Sequence, residues 1–322
     1  MRIGVIGCGQ MGKNHLRIIS QMRDIELTGL VEPDNAIANS LATQYGCTAF
    51  DSVEDLAAHV DAVTIASPSI THASIGQAML GRGIHCLIEK PMATTEADCL
   101  ALIAEMEKSG ALLMVGHIER YNPVIEQLGS ILSTRQRVVA LDARRMSSSS
   151  SRITDVDVVM DLMVHDLDVA LGLIGSKPVH VLAQGIRGEE GSHDYVNSLV
   201  RFECGSIGSF TASRITENKV RELQVTTDVA SIQADYTRQE LFVYQQSKLA
   251  PLGQESGGYV LDLTVDRVMV RHAEPLVREI EHFANCVRQK RTPLTDANST
   301  LEVMRLAWWI QDKLEENDEA KS

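Results

Sequence analysis

Apolar and polar positions follow two successive styles along this chain. Up to about residue 122, short continuous apolar runs alternate with longer stretches of helical period, the pattern of strands buried on both faces and linked by helices. Residues 2–6 (RIGVI), 26–31 (ELTGLV), 61–67 (DAVTIAS), 85–89 (HCLIE) and 112–116 (LLMVG) read as strands, and residues 13–22, 70–83 and 95–109 as helices. A helix over 122–132, an extended strand over 137–146 and a helix over about 157–174 lead into a different pattern. Segments 179–186, 195–202, 206–215, 223–228, 230–236 and 240–244 alternate in and out between Gly or polar turns, which predicts a largely antiparallel sheet. Two helices, 275–289 and 297–316, close the chain, the second with Thr295 or Asp296 as its N-cap.

The first strand runs straight into Gly7-Cys8-Gly9-Gln10-Met11-Gly12 and then a helix. Strand, glycine turn, helix is the arrangement that cradles a dinucleotide. Gly7 serves the tight turn, Gly9 lets the backbone approach a pyrophosphate, and Gly12 lets the helix lie against the strand. The helix start at Gln10 and Met11 offers amides and a positive dipole end to phosphate. The second strand ends in Glu32, twenty residues past Gly12, where a carboxylate accepts from adenosine ribose hydroxyls. Pro33, Asp34 and Asn35 supply no cation for a 2′-phosphate, so NAD is expected rather than NADP. The fold class is therefore α/β: an N-terminal Rossmann doubly wound parallel sheet over 1–122, and a C-terminal α+β domain on a large, mostly antiparallel sheet over 123–322.

Length and charge narrow the rest. A chain of 322 residues suits two domains. A formal charge of −13 argues against a nucleic-acid or anionic-membrane surface. No apolar run approaches the ~18 residues of a membrane span, and the N-terminus begins a strand at once, so a cytoplasmic location is expected. The six cysteines show no CxxC and no regular spacing, so neither disulfides nor a zinc cage is expected. The outer face of so large an open sheet lacks helices to cover it, which predicts a homodimer or homotetramer.

Three clusters carry candidate chemistry. Ligands of doubly wound sheets bind beyond the carboxyl ends of the strands, and Gly7, Glu32, Ser67, Lys90 and His117 all fall there. Lys90 lies between Glu89 and Pro91. A lysine beside the cationic nicotinamide of an oxidised cofactor is driven toward its neutral form, as a proton shuttle requires, although a plain ion pair with Glu89 is the alternative. Asp161 and His165 stand four apart, so a helix puts them on one face, directed toward a cleft between the domains. A carboxylate-oriented histidine is a general acid or base at neutral pH; a surface ion pair is the alternative, and no metal-ligand set accompanies the pair. Asp166 and Asp168 fit equally well as solvating or capping groups. In the third cluster, residues 116–123, Arg120 and Asn122 are candidates for substrate hydroxyls or phosphate, and His117 for the nicotinamide site. Ser67, Pro68 and His72 are expected to pass near the cofactor, whereas His15 is expected to be structural.

The glycine turn, Glu89-Lys90-Pro91 and the Asp161/His165 pair, in this order, resemble the glucose-fructose oxidoreductase, inositol dehydrogenase and rhizopine-catabolism family, Gfo/Idh/MocA, over essentially the whole chain. The resemblance implies hydride transfer from a sugar or cyclitol hydroxyl to the nicotinamide. Lys90 and His165 would share proton transfer, Asp161 would orient them, and Glu89 would lie near the nicotinamide ribose. Within the family, residues 116–123 and 160–168 are most similar to the branch that oxidises the C3 hydroxyl of UDP-N-acetylglucosamine. In that branch a partner aminotransferase converts the ketone to a 3-amino sugar for lipid A. Arg144, Arg145, Arg152, Arg214 and Arg221 are the candidates for a nucleotide-sugar diphosphate. The rival readings are a family dehydrogenase of free sugars or inositol, and a non-catalytic dinucleotide sensor. A sensor has no need of Lys90, Asp161 and His165 together.

Overall fold

The computed structural model describes residues 1–133, 137–148, 157–188, 191–245, 248–251, 259–262 and 264–319. They form two compact units, one of Met1–Tyr121 with Glu274–Arg305, the other of Asn122–Ala273 with the chain from Leu306.

In the first unit, β1 (Arg2–Ile6), α1 (Gln10–Gln21), β2 (Glu26–Val31), α2 (Asn35–Tyr45), β3 (Thr48–Phe50), α3 (Val53–Ala57), β4 (Ala62–Ile65), α4 (His72–Leu80), β5 (His85–Glu89), α5 (Glu96–Ser109) and β6 (Leu113–Gly116) follow in order. The six strands are all parallel, in the order β3-β2-β1-β4-β5-β6. The winding reverses between β1 and β4, and the carboxyl ends of the strands there form the ligand edge of such a sheet. Every residue of β4 and β6 is buried, which explains why these strands read as unbroken apolar runs. The interval containing α2, β3 and α3 carried no expected elements, and β3, at three residues, is too short for a period to register.

The second unit begins with α6 (Pro123–Leu132), started by proline at its first position and capped by Asn122. It continues with β7 (Val138–Met146), a π-helical turn (Val159–Met163), α7 (Val164–Ile174), β8 (Pro178–Arg187), β9 (His193–Phe202), β10 (Ile207–Ser213), β11 (Val220–Thr227), β12 (Ala230–Asp235), β13 (Glu240–Gln245), the hairpin β14 (Lys248–Pro251) and β15 (Tyr259–Asp262), and β16 (Val265–Val268). Eight of these strands make one sheet, β16-β13-β12-β11-β7-β10-β9-β8. Its neighbours are antiparallel except β7 and β10, which pair in parallel, so the sheet is mostly rather than wholly antiparallel. Leu141, Ala143, Val200, Phe210 and Val225 bury one face, on which α7 packs. The other face exposes Leu182 and Leu199, directly opposite one another in register, with Ile186, Asp142 and Gln224.

The chain closes with α8 (Pro275–Gln289) and α9 (Ala297–Glu319), where Asp296 accepts from the Asn298 and Ser299 amides as the expected cap. The expected second domain over 123–322 includes α8, but this helix joins the first unit. Its apolar stripe, Leu276, Ile280, Phe283 and Ala284, enters the same core as Ile3, Val5, Leu16 and Ile19. Amphipathic period announces the stripe without saying which core receives it.

Candidate active site

In the first unit the glycine turn has the sterics of a phosphate cradle. Gly7 has φ +84°, and a Cβ there would stand 2.5 Å from the Ser67 amide nitrogen, so the turn lies against the end of β4. A Cβ on Gly12 would stand 1.9 Å from the Gly7 carbonyl oxygen, the close approach that lets α1 start against β1. Around Gly9, by contrast, a Cβ would meet nothing within 4 Å, so the turn leaves open space on its outer side. No side chain caps α1 at Gly9, and the first-turn amides at Gln10, Met11 and Gly12 keep their direction toward that space.

Glu32, at the end of β2, accepts from the Cys8 amide at 2.9 Å, which fixes its carboxylate beside the turn. Asp34 caps α2 through the Ala36 and Ile37 amides, so the acid that follows Glu32 is occupied locally. Burial first, and Glu32 second, push the Cys8 thiol up to about 12; at neutral pH it is a small core residue and no nucleophile. The cradle and the acid together fit NAD, with adenosine at β2 and pyrophosphate at β1.

Along the same edge, Ser67 hydrogen bonds Thr71 through their hydroxyls at 2.7 Å, and the Pro68 carbonyl accepts from the Thr71 amide. His72 departs from the expected cofactor contact. It is buried, with Nε2 2.9 Å from the Ser67 carbonyl oxygen and Nδ1 2.8 Å from that of Pro91. Both ring nitrogens are therefore engaged with backbone, and His72 ties the Ser67 loop to the Lys90-Pro91 segment. Lys90 is half-buried directly after β5 and forms a cis peptide with Pro91. His117 is buried just past β6, and Arg120 is half-buried in the 3₁₀ turn Ile118–Tyr121.

His15, expected to be structural, is buried, with its Nε2 2.9 Å from Oε1 of Glu89. No sequence signal marks this contact, because its partner stands seventy-four residues away and a buried histidine on α1 has the same period with or without it.

The second unit carries Asp161 and His165, both half-buried, on the π-helical turn and the first turn of α7. Here the expected regular helix gives way. The Val164 amide donates to the Val159 carbonyl, five residues back, so one extra residue is accommodated beside the pair, as is frequent at functional sites. Asp157 starts the segment by accepting from the Val159 and Met160 amides, both at 3.0 Å. Asp166 and Asp168 turn inward and are buried.

The arginines sort themselves by sheet face. Arg145 is buried and bidentate to Asp166 at 2.9 and 2.8 Å, with its guanidinium over the Tyr236 ring, so it is structural. Arg144, a candidate for the diphosphate, stands on the open face opposite α7, 3.9 Å from Glu222, and does not join Asp161 and His165. Alternation along a strand sends adjacent arginines to opposite faces. Arg221 pairs in register with Arg145, and Arg214 follows the end of β10, on which the π-helical turn packs. Arg214 lies 3.5 Å from Asp194. Arg152 is outside the described residues. Asn122 is committed to the fold: its Nδ2 donates to the Tyr236 carbonyl at 3.1 Å and its Oδ1 caps α6. Among the described residues no cluster of His, Cys, Asp or Glu is placed to hold a metal, and no helix is long and apolar enough to cross a membrane.

Residues 1–117 match the oxidoreductase family with NAD-binding Rossmann fold of the GFO/IDH/MocA group, and residues 128–233 match the GFO/IDH/MocA C-terminal domain. The chain is 30% identical over 315 residues to a UDP-N-acetylglucosamine 3-dehydrogenase of Acidithiobacillus ferrooxidans, covering 98% of this chain and 97% of that one. It is 26% identical to an inositol 2-dehydrogenase of Rhizobium meliloti, over 95% and 94% of the two chains. A solved structure of the Acidithiobacillus ferrooxidans enzyme superposes with a TM-score of 0.90 at 29% identity, covering 98% of this chain and 97% of that one.

Proposed function

The chain belongs to the Gfo/Idh/MocA oxidoreductase family, and from that premise we propose that it is a cytoplasmic, NAD-dependent dehydrogenase that oxidises the C3 hydroxyl of UDP-N-acetylglucosamine to the 3-keto sugar nucleotide. The observation that carries the substrate is the 30% identity to a UDP-N-acetylglucosamine 3-dehydrogenase along 98% of this chain. NAD, held by Gly7, Gly9, Gln10, Met11, Gly12 and Glu32, supplies the hydride acceptor. As the C3–H bond breaks and C3=O forms, the one hydroxyl proton enters a relay shared by Lys90 and His165, with Asp161 orienting them. Glu89 serves the nicotinamide ribose, Ser67, Pro68 and His117 line the cofactor edge, and Arg120, Arg214 and Arg221 are the cations for the substrate diphosphate. A 3-keto sugar nucleotide is the substrate an aminotransferase needs to make a 3-amino sugar, and lipid A is the destination we assign to it.

UDP added to the NADH-loaded protein is expected to raise the melting temperature by about 2 °C or more, because it binds the folded state alone. An unshifted melting temperature counts against the nucleotide-sugar reading and favours a free-sugar or inositol substrate.

The open face of the eight-stranded sheet supports a homodimer or homotetramer. Leu182 and Leu199 are 55% and 44% exposed and face each other across β8 and β9, beside Ile186 at 62%, an apolar patch of the kind a second copy covers. Sedimentation at micromolar concentration should give an oligomer, and Leu199→Glu should shift it toward monomer. A stable wild-type monomer would remove this assignment.

A further inference from the structure

On one face, α1 carries both the phosphate cradle and, three residues after Gly12, His15. The imidazole is fully buried in line with the core residues Leu16, Ile18 and Ile19. Its Nε2 meets Glu89 Oε1 at 2.9 Å, and because a carboxylate offers only lone pairs, Nε2 carries the hydrogen and donates. Nδ1 meets no donor or acceptor among the described residues. A leucine would fill such a position without an orphaned nitrogen, so packing does not account for a histidine here, whereas the bond to Glu89 does. On the other side of the carboxylate is Gly116, the register partner of Glu89 on β6. A Cβ on Gly116 would stand 3.0 Å from Glu89 Oε2 and 3.1 Å from its Cδ. Glu89 is thus held between a donor and the side-chain-free face of Gly116, at the carboxyl end of β5 and next to Lys90.

Strand order says what that carboxylate faces. With adenosine at Glu32 on β2 and pyrophosphate at the turn after β1, the nicotinamide half of a dinucleotide crosses to β4 and β5. We propose that His15 is a positioning residue: by donating to Glu89 it holds the carboxylate at the nicotinamide half of the cofactor and so favours the cationic, oxidised ring over the neutral, reduced one. A single negative charge in a partly desolvated site discriminates between those two rings, and without its donor the carboxylate loses both direction and stabilisation. The inference rests on NAD binding by the first unit and is independent of which hydroxyl is oxidised.

Dissociation constants for NAD⁺ and NADH, measured by calorimetry without substrate, test it. His15→Leu is expected to weaken NAD⁺ about tenfold and NADH by less than about threefold. His15→Gln, whose amide nitrogen reaches toward the same oxygen, should return the ratio to within about threefold of wild type. His15→Leu should add nothing to the ratio already shifted by Glu89→Gln, since both act through one contact. Gly116→Ala leaves His15 in place, presses a methyl on the carboxylate and should shift the ratio in the same direction. Equal losses of NAD⁺ and NADH in His15→Leu, additivity with Glu89→Gln, or an unchanged ratio in Gly116→Ala overturns the proposal. UDP-sugar plays no part in these titrations, so failure of the substrate assignment would not register in them.

Discussion

Lys90→Met is expected to leave NADH affinity within about twofold of wild type while cutting turnover by about 10²- to 10⁴-fold, the usual worth of a positioned general acid or base. Lys90 is half-buried at the carboxyl end of β5, beside Glu89 and past the glycine cradle on β1. Methionine keeps the length and apolar stem and removes only the ammonium, so the first unit retains its packing. Comparing NADH titration with the steady-state rate separates binding from chemistry. Turnover that survives the substitution would take Lys90 out of the proton relay.

Gly12→Ala is expected to weaken cofactor binding by about fivefold to more than a hundredfold. The added methyl would stand 1.9 Å from the Gly7 carbonyl oxygen, and that neighbour is backbone, which cannot rotate aside. Either α1 or the turn must move, and both form the cradle. Overpacking costs about 1–3 kcal/mol, which corresponds to a loss of affinity of about fivefold to more than a hundredfold if it falls on the bound geometry. The same shift carries His15 away from Glu89, so catalysis should suffer beyond the binding loss. A variant with unchanged melting temperature and unchanged NADH affinity would show that the turn is not the pyrophosphate site.

The glycine turn was legible because its pattern is local: strand, tight turn and helix start lie within a dozen residues, and Gly12 answers to the Gly7 carbonyl five residues back. Most strands of both sheets were legible for a related reason, since burial on one or two faces writes a period into the sequence; β3 and β16, at three and four residues, are too short to carry one. What stayed hidden depends on partners distant in the chain. His15 meets Glu89 seventy-four residues later, and nothing in the periodicity of α1 distinguishes such a contact from a core histidine. Arg145 is taken by Asp166, twenty-one residues on, which removed one of the candidate cations. Asn122 looked available because its bond to the Tyr236 carbonyl, 114 residues away, leaves no local mark. The four-residue spacing of Asp161 and His165 suggested a regular helix, yet the π-helical turn adds a residue to the ring at Val159, a change no propensity announces. The destination of α8 was hidden because an apolar stripe specifies burial and not the core that provides it.

The most direct test of the function is turnover. The purified protein is mixed with NAD and UDP-N-acetylglucosamine in the presence of a carbonyl or amino-transfer trap, which draws off the ketone, and NADH absorbance is followed beside parallel reactions with free sugars and inositols. NADH is expected to form with the UDP-sugar alone, and NMR of the product should place the new carbonyl at C3. NADH formed from a free polyol, with none from the UDP-sugar, would contradict it.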